Sequence, residues 1–415
     1  MPVALKRHRL CQRRKTLGFS QERLAETLGV DRSTVVRWEN AETDPQPWHR
    51  TRIAAVLQVT PDQLDGMLGD VSIARRRGQV MGDDAKAAPA RTELLGPLWA
   101  FLTTSYLPPA IRPAPRTVDV RRSVGQLHRL YQQASYDNVA RQVPDVLSQA
   151  TVLAGNSSGL QRSTAIKLLA AAYLAASKLA VKAGDGEIAL VTADRAATAA
   201  HLVEDKALAG VAAHQASCAY LRLPGHMHEA EQTALASIEQ LSVRQRVEDP
   251  DLLSVRGALI LLSAVVAARL GRSDDANSRL ADAERLAANL GADGNRMWTA
   301  FGPTNVVIHR VSVAVDAGQY DRAFQVSKPF DTSKLPSGLV SRRAQVHLDL
   351  AVAGAAGNEG PSLAVLHLLE AERVAPETIS ANIHARTLVA TLLSKERRSA
   401  TPGLRPLAMR AGLIS

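Results

Sequence analysis

A glycine-containing turn recurs five times in the later part of the sequence, each time between a long Ala- and Leu-rich run and a second, shorter run. The markers are Gly184, Gly225, Gly271, Gly318 and Gly357, at steps of 41, 46, 47 and 39 residues. Such a period is typical of helical hairpins that bury their apolar faces only against their neighbours. The pattern therefore predicts a stack of helical hairpins, an α-solenoid. Residues 127–150, with Tyr136 at the turn, are expected to form an earlier hairpin without the glycine, and residues 379–395 and 403–411 to cap the last one.

The composition favours helices over sheets. Hydrophobic residues, mostly Ala, Leu and Val, make up 46% of the chain and aromatic residues only 4%, and the alternation typical of strands is scarce. We therefore expect an all-α chain. The longest apolar run, 258–268, is too short to span a bilayer and contains Ser263, and no N-terminal stretch resembles a signal peptide, so we expect a cytoplasmic protein without a membrane partner. Cys11 and Cys218 lie far apart and predict neither a disulfide nor a cysteine metal site.

The first seventy residues are divided into short helices by recognisable capping residues. Ser20 is placed to cap a second helix that Gly29 ends, and Asp31 to cap a third helix through residue 39 or 40. Pro45 and Pro47 forbid its continuation. Further helices at 48–57 and 61–68 complete a five-helix unit, and two helices joined by a short Gly-containing turn are the general form of a helix-turn-helix.

At this point the residues resemble a known family. The run GFSQERLAETLGVDRSTVVRWE (18–39), together with Leu5, Arg9, Arg13 and Arg14 before it, is similar to lambda-repressor/Cro-like, or XRE-type, helix-turn-helix domains. The resemblance covers residues 5–68. It implies that the third helix lies in the major groove of double-stranded DNA and that the Gln at the start of the second helix lies against the DNA backbone.

The resemblance and helical geometry together predict the DNA contacts. With Val35 and Trp38 turned inward, we expect the side chains on the other stripe of the third helix to face DNA. An Arg is suited to a bidentate bond with guanine, Ser to a base or a phosphate, and Val to a thymine methyl group, although Val36 could equally be a tolerated surface valine. The predicted DNA-binding residues are Gln21, Arg32, Ser33, Thr34, Val36, Arg37, Asn40 and Thr43.

Two further features come from the resemblance. Arg14 and Glu39 align with a family pair that forms a structural salt bridge between the first and third helices. Asn40 and Thr43 begin a loop whose backbone N–H groups commonly bond phosphate in the family. Ala41 departs from the usual Gly there, and would be strained if that position needs positive φ.

The N-terminal region also concentrates positive charge. Residues 1–77 contain 14 Lys and Arg against 9 Asp and Glu, so they hold half of the net charge of +10. This region is the candidate for an anionic partner, although a basic run can also be no more than a solvated helix face. Residues 71–118, with an arginine triplet, several prolines and one apolar segment at 94–106, predict a linker between a DNA-binding domain at 1–70 and a repeat domain at 119–415.

No enzymatic motif is present in the sequence: we find no phosphate-binding glycine loop, no H-E-x-x-H and no nucleophile elbow. We therefore expect no enzyme, no cofactor and no metal. His214 and Cys218, followed by His226 and His228, are the best-placed candidates for metal ligands, but packing or solvated roles are more common for such residues.

The concave face of a solenoid is where partners bind. Asn305, His309 and Ser312 form a polar stripe on an otherwise apolar helix, and are our candidates for binding an effector. His347 and His214 are weaker candidates. The alternative is that these side chains only cap a helix or bond to a neighbouring one.

The repeats resemble degenerate tetratricopeptide repeats, and the two halves together resemble regulators in which an XRE-type domain precedes such an array, as in peptide-responsive quorum-sensing regulators. The resemblance implies a sequence-specific transcriptional regulator, a homodimer formed through the array, and a peptide or small-molecule effector. Two alternatives stay open: a protein-interaction scaffold built on the array, and a phage- or toxin-type repressor without ligand control.

Overall fold

The computed structural model describes residues 7–40, 43, 45, 47–59, 64, 67–68, 94–104, 115–241, 249–328, 335–357, 359–394, 396 and 401–414. Every regular element within these ranges is a helix, which confirms the expected all-α fold class. The chain divides into two compact units, Met1–Ala88 and Pro89–Ser415. The boundary between them lies within the predicted linker.

The first unit is a small helical domain with its own core. Its helices are α1 (His8–Thr16), α2 (Gln21–Leu28), α3 (Arg32–Glu39) and α4 (Pro47–Val56), and Leu64, Met67 and Leu68 are helical as well. The buried residues of these elements form one hydrophobic cluster: Leu10, Leu24, Ala25, Leu28, Val35, Trp38, Ile53, Ala54, Leu57, Leu64 and Leu68. This cluster fixes which faces of α2 and α3 remain outside.

The second unit consists of successive helical hairpins. Its helices are α5 (Leu94–Thr104), α6 (Thr117–Gln132), α7 (Tyr136–Asn156), α8 (Gly159–Ala183), α9 (Gly186–Leu202), α10 (Lys206–Tyr220), α11 (Met227–Leu241), α12 (Pro250–Arg269), α13 (Ser273–Leu290), α14 (Pro303–Asp316), α15 (Tyr320–Ser327), α16 (Val340–Ala356), α17 (Pro361–Val374), α18 (Glu377–Ala381), α19 (Ile383–Ser394) and α20 (Leu404–Arg410). Between α6 and α17, each even-numbered helix forms a hairpin with the odd-numbered helix that follows it in the chain, as α6 does with α7. In addition, α19 packs on α20. A short 3-10 turn, Arg296–Trp298, precedes α14.

The turns of the hairpins lie where the sequence predicted them. Gly184, with φ 84°, ends α8 by donating its N–H to carbonyls of the last turn, and Gly271, with φ 76°, lies between α12 and α13. Only glycine adopts such a φ without steric cost. Gly357 has negative φ, and Gly360 (φ 87°) takes the left-handed conformation instead. The first hairpin does lack a turn glycine, and Ala134 adopts φ 58° in its place.

The even-numbered helices form an inner layer. Each even-numbered helix from α6 to α14 contacts the even-numbered helix after it. Because α16 also contacts α6, the inner layer closes on itself. A second contact joins the ends of the array, since the backbone N–H of Asp137 donates to a carboxylate oxygen of Glu377 at 2.9 Å. The closed inner layer surrounds a cavity of about 190 Å³.

Three findings differ from the sequence-based expectations. The apolar segment predicted within the linker is the helix α5, and its leucines, Leu94 and Leu98 among them, belong to the core of the second unit. A short helix, α18, precedes the final pair. The length of the apolar run predicted no segment able to span a bilayer, but both α8 and α12 are apolar and long enough to do so. Each of them is mostly buried inside the array, as core helices are.

Candidate nucleic-acid interface and effector residues

Local capping positions α2 and α3 of the first unit. The Ser20 hydroxyl accepts the backbone N–H of Arg23 at 3.0 Å and begins α2, and Gly29 ends α2 with φ 70°. Asp31 has the extended backbone of an N-cap, but its side chain makes no capping bond; its carbonyl oxygen accepts the N–H of Thr34 at 2.9 Å. The prediction that Asp31 is the N-cap of α3 is therefore right in position, but its side chain forms no capping hydrogen bond.

A buried polar network holds α3 against α1 and α2. The Arg14 guanidinium donates to both oxygens of Glu39, at 2.6 and 3.2 Å, and to the carbonyl of Phe19. The amide of Gln21 donates to Glu39 Oε2 at 2.7 Å. Burial alone raises the pKa of Glu39, but the hydrogen bonds from Arg14 and Gln21 outweigh burial, so this pKa lies below its ordinary value. The carboxylate is therefore charged and its two oxygens are bound.

Three arginines of the N-terminal basic run serve the fold. Arg7 is buried and donates to the carbonyls of Leu68 and Trp38, at 3.0 and 2.9 Å, and Arg13 donates to those of Leu57 and Gln58. Arg14 is bound to Glu39. These arginines satisfy carbonyl groups at helix ends, which helps to stabilise the unit. These three side chains are thus engaged within the domain and do not form a free phosphate-binding surface.

The outer face of α3 is polar and accessible. Each helical residue advances about 100° around the axis, which places Ser33 and Arg37 about 160° from the buried Val35. Both side chains are exposed, and neither makes a hydrogen bond or ion pair with the described residues. Val36 and Thr34 are half-buried and flank this face. The arrangement leaves Ser33 and Arg37 available for a partner, as predicted for base contacts.

Arg32 does not lie on that face. It is about 60° from Val35 around the axis, toward α2. Its guanidinium contacts Glu22 Oε1 at 2.5 Å, with the side chains 62% and 55% exposed. An ion pair this exposed contributes little to stability, so Arg32 can leave Glu22 for a phosphate or base at small cost. The placement of Arg32 on the same stripe as Arg37 was nevertheless wrong.

The loop after α3 also differs from the expectation. The N–H of Asn40 donates to the Val36 carbonyl at 2.9 Å, and that of Thr43 to the Arg37 carbonyl at 3.4 Å. Because both N–H groups are used within the domain, phosphate contacts at these positions would have to come from the side chains. The Thr43 side chain is exposed and that of Asn40 half-buried. The expectation for Ala41 falls outside the described residues.

The predicted effector residues do not form one site. His214 and His309 both line the central cavity of the second unit. Ser312 donates a hydrogen bond to Asp349, and Asn305 is buried with its carbonyl accepting from His309 Nδ1 at 2.8 Å.

His347 contacts His367 on α17, with 3.3 Å between their Nδ1 atoms, and is absent from the cavity lining. Of the polar stripe, only His309 lines the cavity, while Ser312 bonds to Asp349 on α16 and Asn305 is buried on α14.

Sequence reasoning missed the cations of the cavity. Lys178, Lys182 and Arg342 line it together with the two histidines. Two lysines four residues apart within the Ala-rich helix α8 are a signal that could have been noticed, because such a helix is buried on most sides. The pair proposed for a metal has His214 Nδ1 3.8 Å from Cys218 Sγ, and the described residues bring no group of three or more His, Cys, Asp or Glu together as metal ligands.

A comparison with protein families agrees with the geometry of the first unit. Residues 12–64 match a family model described as Helix-turn-helix. No curated protein and no solved structure is similar enough to this chain to count as a match. The family match spans α1 to α4, including the network around Glu39 and the exposed face of α3. The chain therefore carries a helix-turn-helix domain of the XRE type, the DNA-binding domain of a transcriptional regulator.

Proposed function

We propose that the protein regulates transcription by reading a specific DNA sequence with the outer face of α3, and that the array of hairpins binds an effector and joins two chains into a homodimer. The observation that carries the proposal is the face itself: Arg37 and Ser33 are exposed and unpaired opposite the core of a helix-turn-helix domain. Arg is the side chain best suited to bidentate bonds with guanine in the major groove. In this proposal the protein acts in the cytoplasm and is not an enzyme.

Dimerisation rests on the size of the reading surface. One helix-turn-helix domain contacts a single half-site, and useful specificity in a genome needs two half-sites, about 10 base pairs apart or a multiple of that distance. The effector role rests on the cavity in the second unit, which a ligand-independent repressor would not require.

The test is selection of DNA by the full chain. Duplexes recovered from a random pool should contain a two-fold symmetric site, and binding should weaken as salt rises because phosphate contacts release counterions. Analytical ultracentrifugation of the complex should give two chains per duplex. Recovery of no preferred sequence would contradict the regulator, and one chain per duplex would contradict the homodimer while leaving DNA recognition intact.

A further inference from the structure

The cavity of the second unit is built from the inner helices of successive hairpins. Side chains from α6, α8, α10, α12, α14 and α16 line it, together with Trp298 and Thr299. Because α16 returns to α6, side chains that are distant in sequence meet across the cavity. The cavity is therefore a product of the closed array and belongs to no single hairpin.

Three cations face this cavity without an acidic partner. Lys178 Nζ donates to the Trp298 carbonyl at 3.0 Å, and Lys182 Nζ lies 5.6 Å from the centre of the Tyr136 ring. The Arg342 guanidinium makes no hydrogen bond or ion pair within the described part of the chain. Among the residues that the structure describes, none that lines the cavity is Asp or Glu. Each cation thus has at most a carbonyl or a ring beside it.

The nearest carboxylates are engaged elsewhere. Asp349 accepts hydrogen bonds from Ser312 and from Gln345, the latter at 2.8 Å, and burial raises its pKa to about 6. Asp316 pairs with Arg269 at 3.1 Å. Neither carboxylate lines the cavity. Asp349 favours the charged form of Lys182 through space, but burial and Arg342 outweigh it, and the described lining offers the three cations no carboxylate as a direct partner.

Charges in such surroundings are unfavourable for folding. Taking a cation out of water without a counter-charge costs free energy, which is why unpaired buried Lys is rare. Burial, followed by repulsion from Arg342, accordingly lowers the pKa of Lys178 to about 7 and that of Lys182 to about 8. The same pKa lowering by burial keeps His214 and His309 neutral, with a pKa of about 3 for each.

We propose that this cavity binds a small organic anion, a carboxylate or phosphate group on a compact apolar body, with its charged group between Lys178, Lys182 and Arg342. The inference deepens the effector part of the proposed function by naming the chemical class. An anion supplies the counter-charge that the lining lacks, and charge-assisted hydrogen bonds to Lys and Arg are among the strongest in proteins. The neutral His214 and His309 are left to hydrogen-bond uncharged groups of the ligand.

The rest of the lining sets the size and polarity of the ligand. Val211, Val255 and Leu262 form an apolar wall on α10 and α12, and the Trp298 ring lies beside the cations. The volume of about 190 Å³ is below that of sites for drug-sized ligands, which are roughly 300–1,000 Å³. The expected ligand therefore has on the order of ten non-hydrogen atoms, with one charged end.

The experiment uses matched probes and the full chain. Phenylacetate and benzylphosphonate carry a carboxylate and a phosphate-like anion on the same benzyl body, and phenylacetamide is the neutral counterpart of phenylacetate. Isothermal titration calorimetry should give saturable binding of at least one anion, at least tenfold tighter than that of the amide. The anion that binds more tightly shows whether the site prefers a carboxylate or a phosphate group. Saturable binding of neither anion, or equal binding of the amide, would overturn the proposal.

Substitutions locate the site. Lys182→Met and Arg342→Gln should each weaken binding of the preferred anion at least tenfold, whereas Lys206→Met, which removes an exposed lysine at the start of α10, should leave it unchanged. Thermal unfolding without ligand shows whether the variants fold. The melting temperature of Lys182→Met should be about 2–4 °C above that of the wild type, because the substitution removes an uncompensated charge. Unchanged anion affinity in both cavity variants would place the binding elsewhere and overturn the assignment.

Binding is measured without DNA, so its result is independent of the regulator. An anion that binds in the cavity but leaves DNA affinity unchanged supports the site and counts against its role as an effector site. A chain that binds the anion but selects no DNA sequence contradicts the proposed function alone.

Discussion

Arg37 and Glu39 lie two positions apart on α3 and have opposite environments. Arg37 is exposed and unpaired, whereas Glu39 is buried and bound by Arg14 and Gln21. A residue that the fold does not use can be replaced with little effect on stability, while a residue within a buried network cannot. The two residues therefore allow recognition and folding to be tested separately on one helix.

Arg37→Ala should remove sequence preference and leave the fold intact. Loss of a bidentate contact to a base costs about 1–3 kcal/mol of discrimination, or roughly 5- to 150-fold between the selected site and a variant with the contacted base pair changed. Competition binding on the two duplexes measures this ratio. Arg162→Ala, which removes an exposed arginine of the second unit, is the control for the lost charge and should keep the wild-type ratio. A wild-type ratio in Arg37→Ala would show that another residue reads the base.

Glu39→Ala should loosen the N-terminal unit. The substitution leaves Arg14 buried without its counter-charge, and breaking a buried pair in this way costs about 3–5 kcal/mol. Hydrogen exchange in the full chain should show α3 amides losing protection by at least about a hundredfold. Glu22→Ala removes the exposed pair with Arg32 and should change protection by less than about fivefold. Similar exchange in the two variants would mean that the buried network does not hold α3.

The same pair makes this unit sensitive to acid. The pKa of Glu39 is lower in the folded unit than its ordinary value of 4.5. Its contribution to stability is therefore complete above about pH 4.5 and is lost as the pH falls through the folded value. Protection of α3 amides, corrected for intrinsic exchange, should decline on acidification below pH 4.5 in the wild type and be flatter in Glu39→Gln. An equally steep decline in Glu39→Gln would assign the acid sensitivity to other carboxyl groups.

At the scale of elements, local signals predicted the hairpins well. Glycines with positive φ, such as Gly184 and Gly271, mark turns because the steric rule is local and needs no partner. The packing of α5 into the core of the second unit was missed, because whether an apolar segment between prolines joins a core depends on distant residues. The orientation of Arg32 was also missed, since its partner Glu22 lies on another helix. Local sequence thus determined the element boundaries, and tertiary contacts decided what each element packs against.

One glycine has a role in packing between helices. Gly257 lies within α12, and a Cβ atom there would be 2.1 Å from Cζ of the buried Phe301. Gly257→Ala should therefore destabilise the array by about 1–3 kcal/mol, reduced by up to about 1 kcal/mol of gained helix propensity. Gly125→Ala on α6 is the matched control, because a Cβ atom there would meet only the flexible Arg129 side chain, at 3.5 Å. This substitution should stabilise the array. Calorimetric melting of both variants measures the contrast, and a rise in melting temperature for Gly257→Ala would contradict it.

At the scale of the whole molecule, closure of the array was not predictable from its repeats. Each hairpin is specified by its own turn and apolar stripe, but the contact of α16 with α6 depends on the accumulated curvature of all the hairpins between them. The cations of the cavity come from helices on both sides of that closure. The candidate DNA-binding face, by contrast, lies within one short helix, so the exposure of Ser33 and Arg37 follows from helical spacing around the buried Val35, whereas the orientation of Arg32 does not.

Closure also brings together the groups that would make anion binding depend on pH. Tyr131 and the two histidines do not titrate near neutrality: burial raises the pKa of Tyr131 to about 12 and lowers the pKa of each histidine to about 3. Burial also raises the pKa of the Cys218 thiol. Asp349, behind the lining, has a pKa of about 6. Lys178 and Lys182 are therefore the cavity groups that change charge between pH 6.5 and 8.5, since burial lowers their pKa values to about 7 and 8.

Binding of an anion should therefore take up protons. A bound anion favours the charged lysines and raises their pKa values, so the chain gains protons on binding between pH 7 and 8, and affinity falls as the pH rises through this range. Calorimetry at pH 7.5 in Tris and in triethanolamine, which differ in ionisation enthalpy, gives the number of protons from the difference in observed heat. The expected uptake for phenylacetate, whose carboxylate is fully ionised in this range, is roughly half a proton to one proton. Lys206→Met should keep the uptake and Lys178→Met should reduce it. Equal heats in the two buffers, with affinity constant from pH 6.5 to 8.5, would mean that the anion does not meet these lysines.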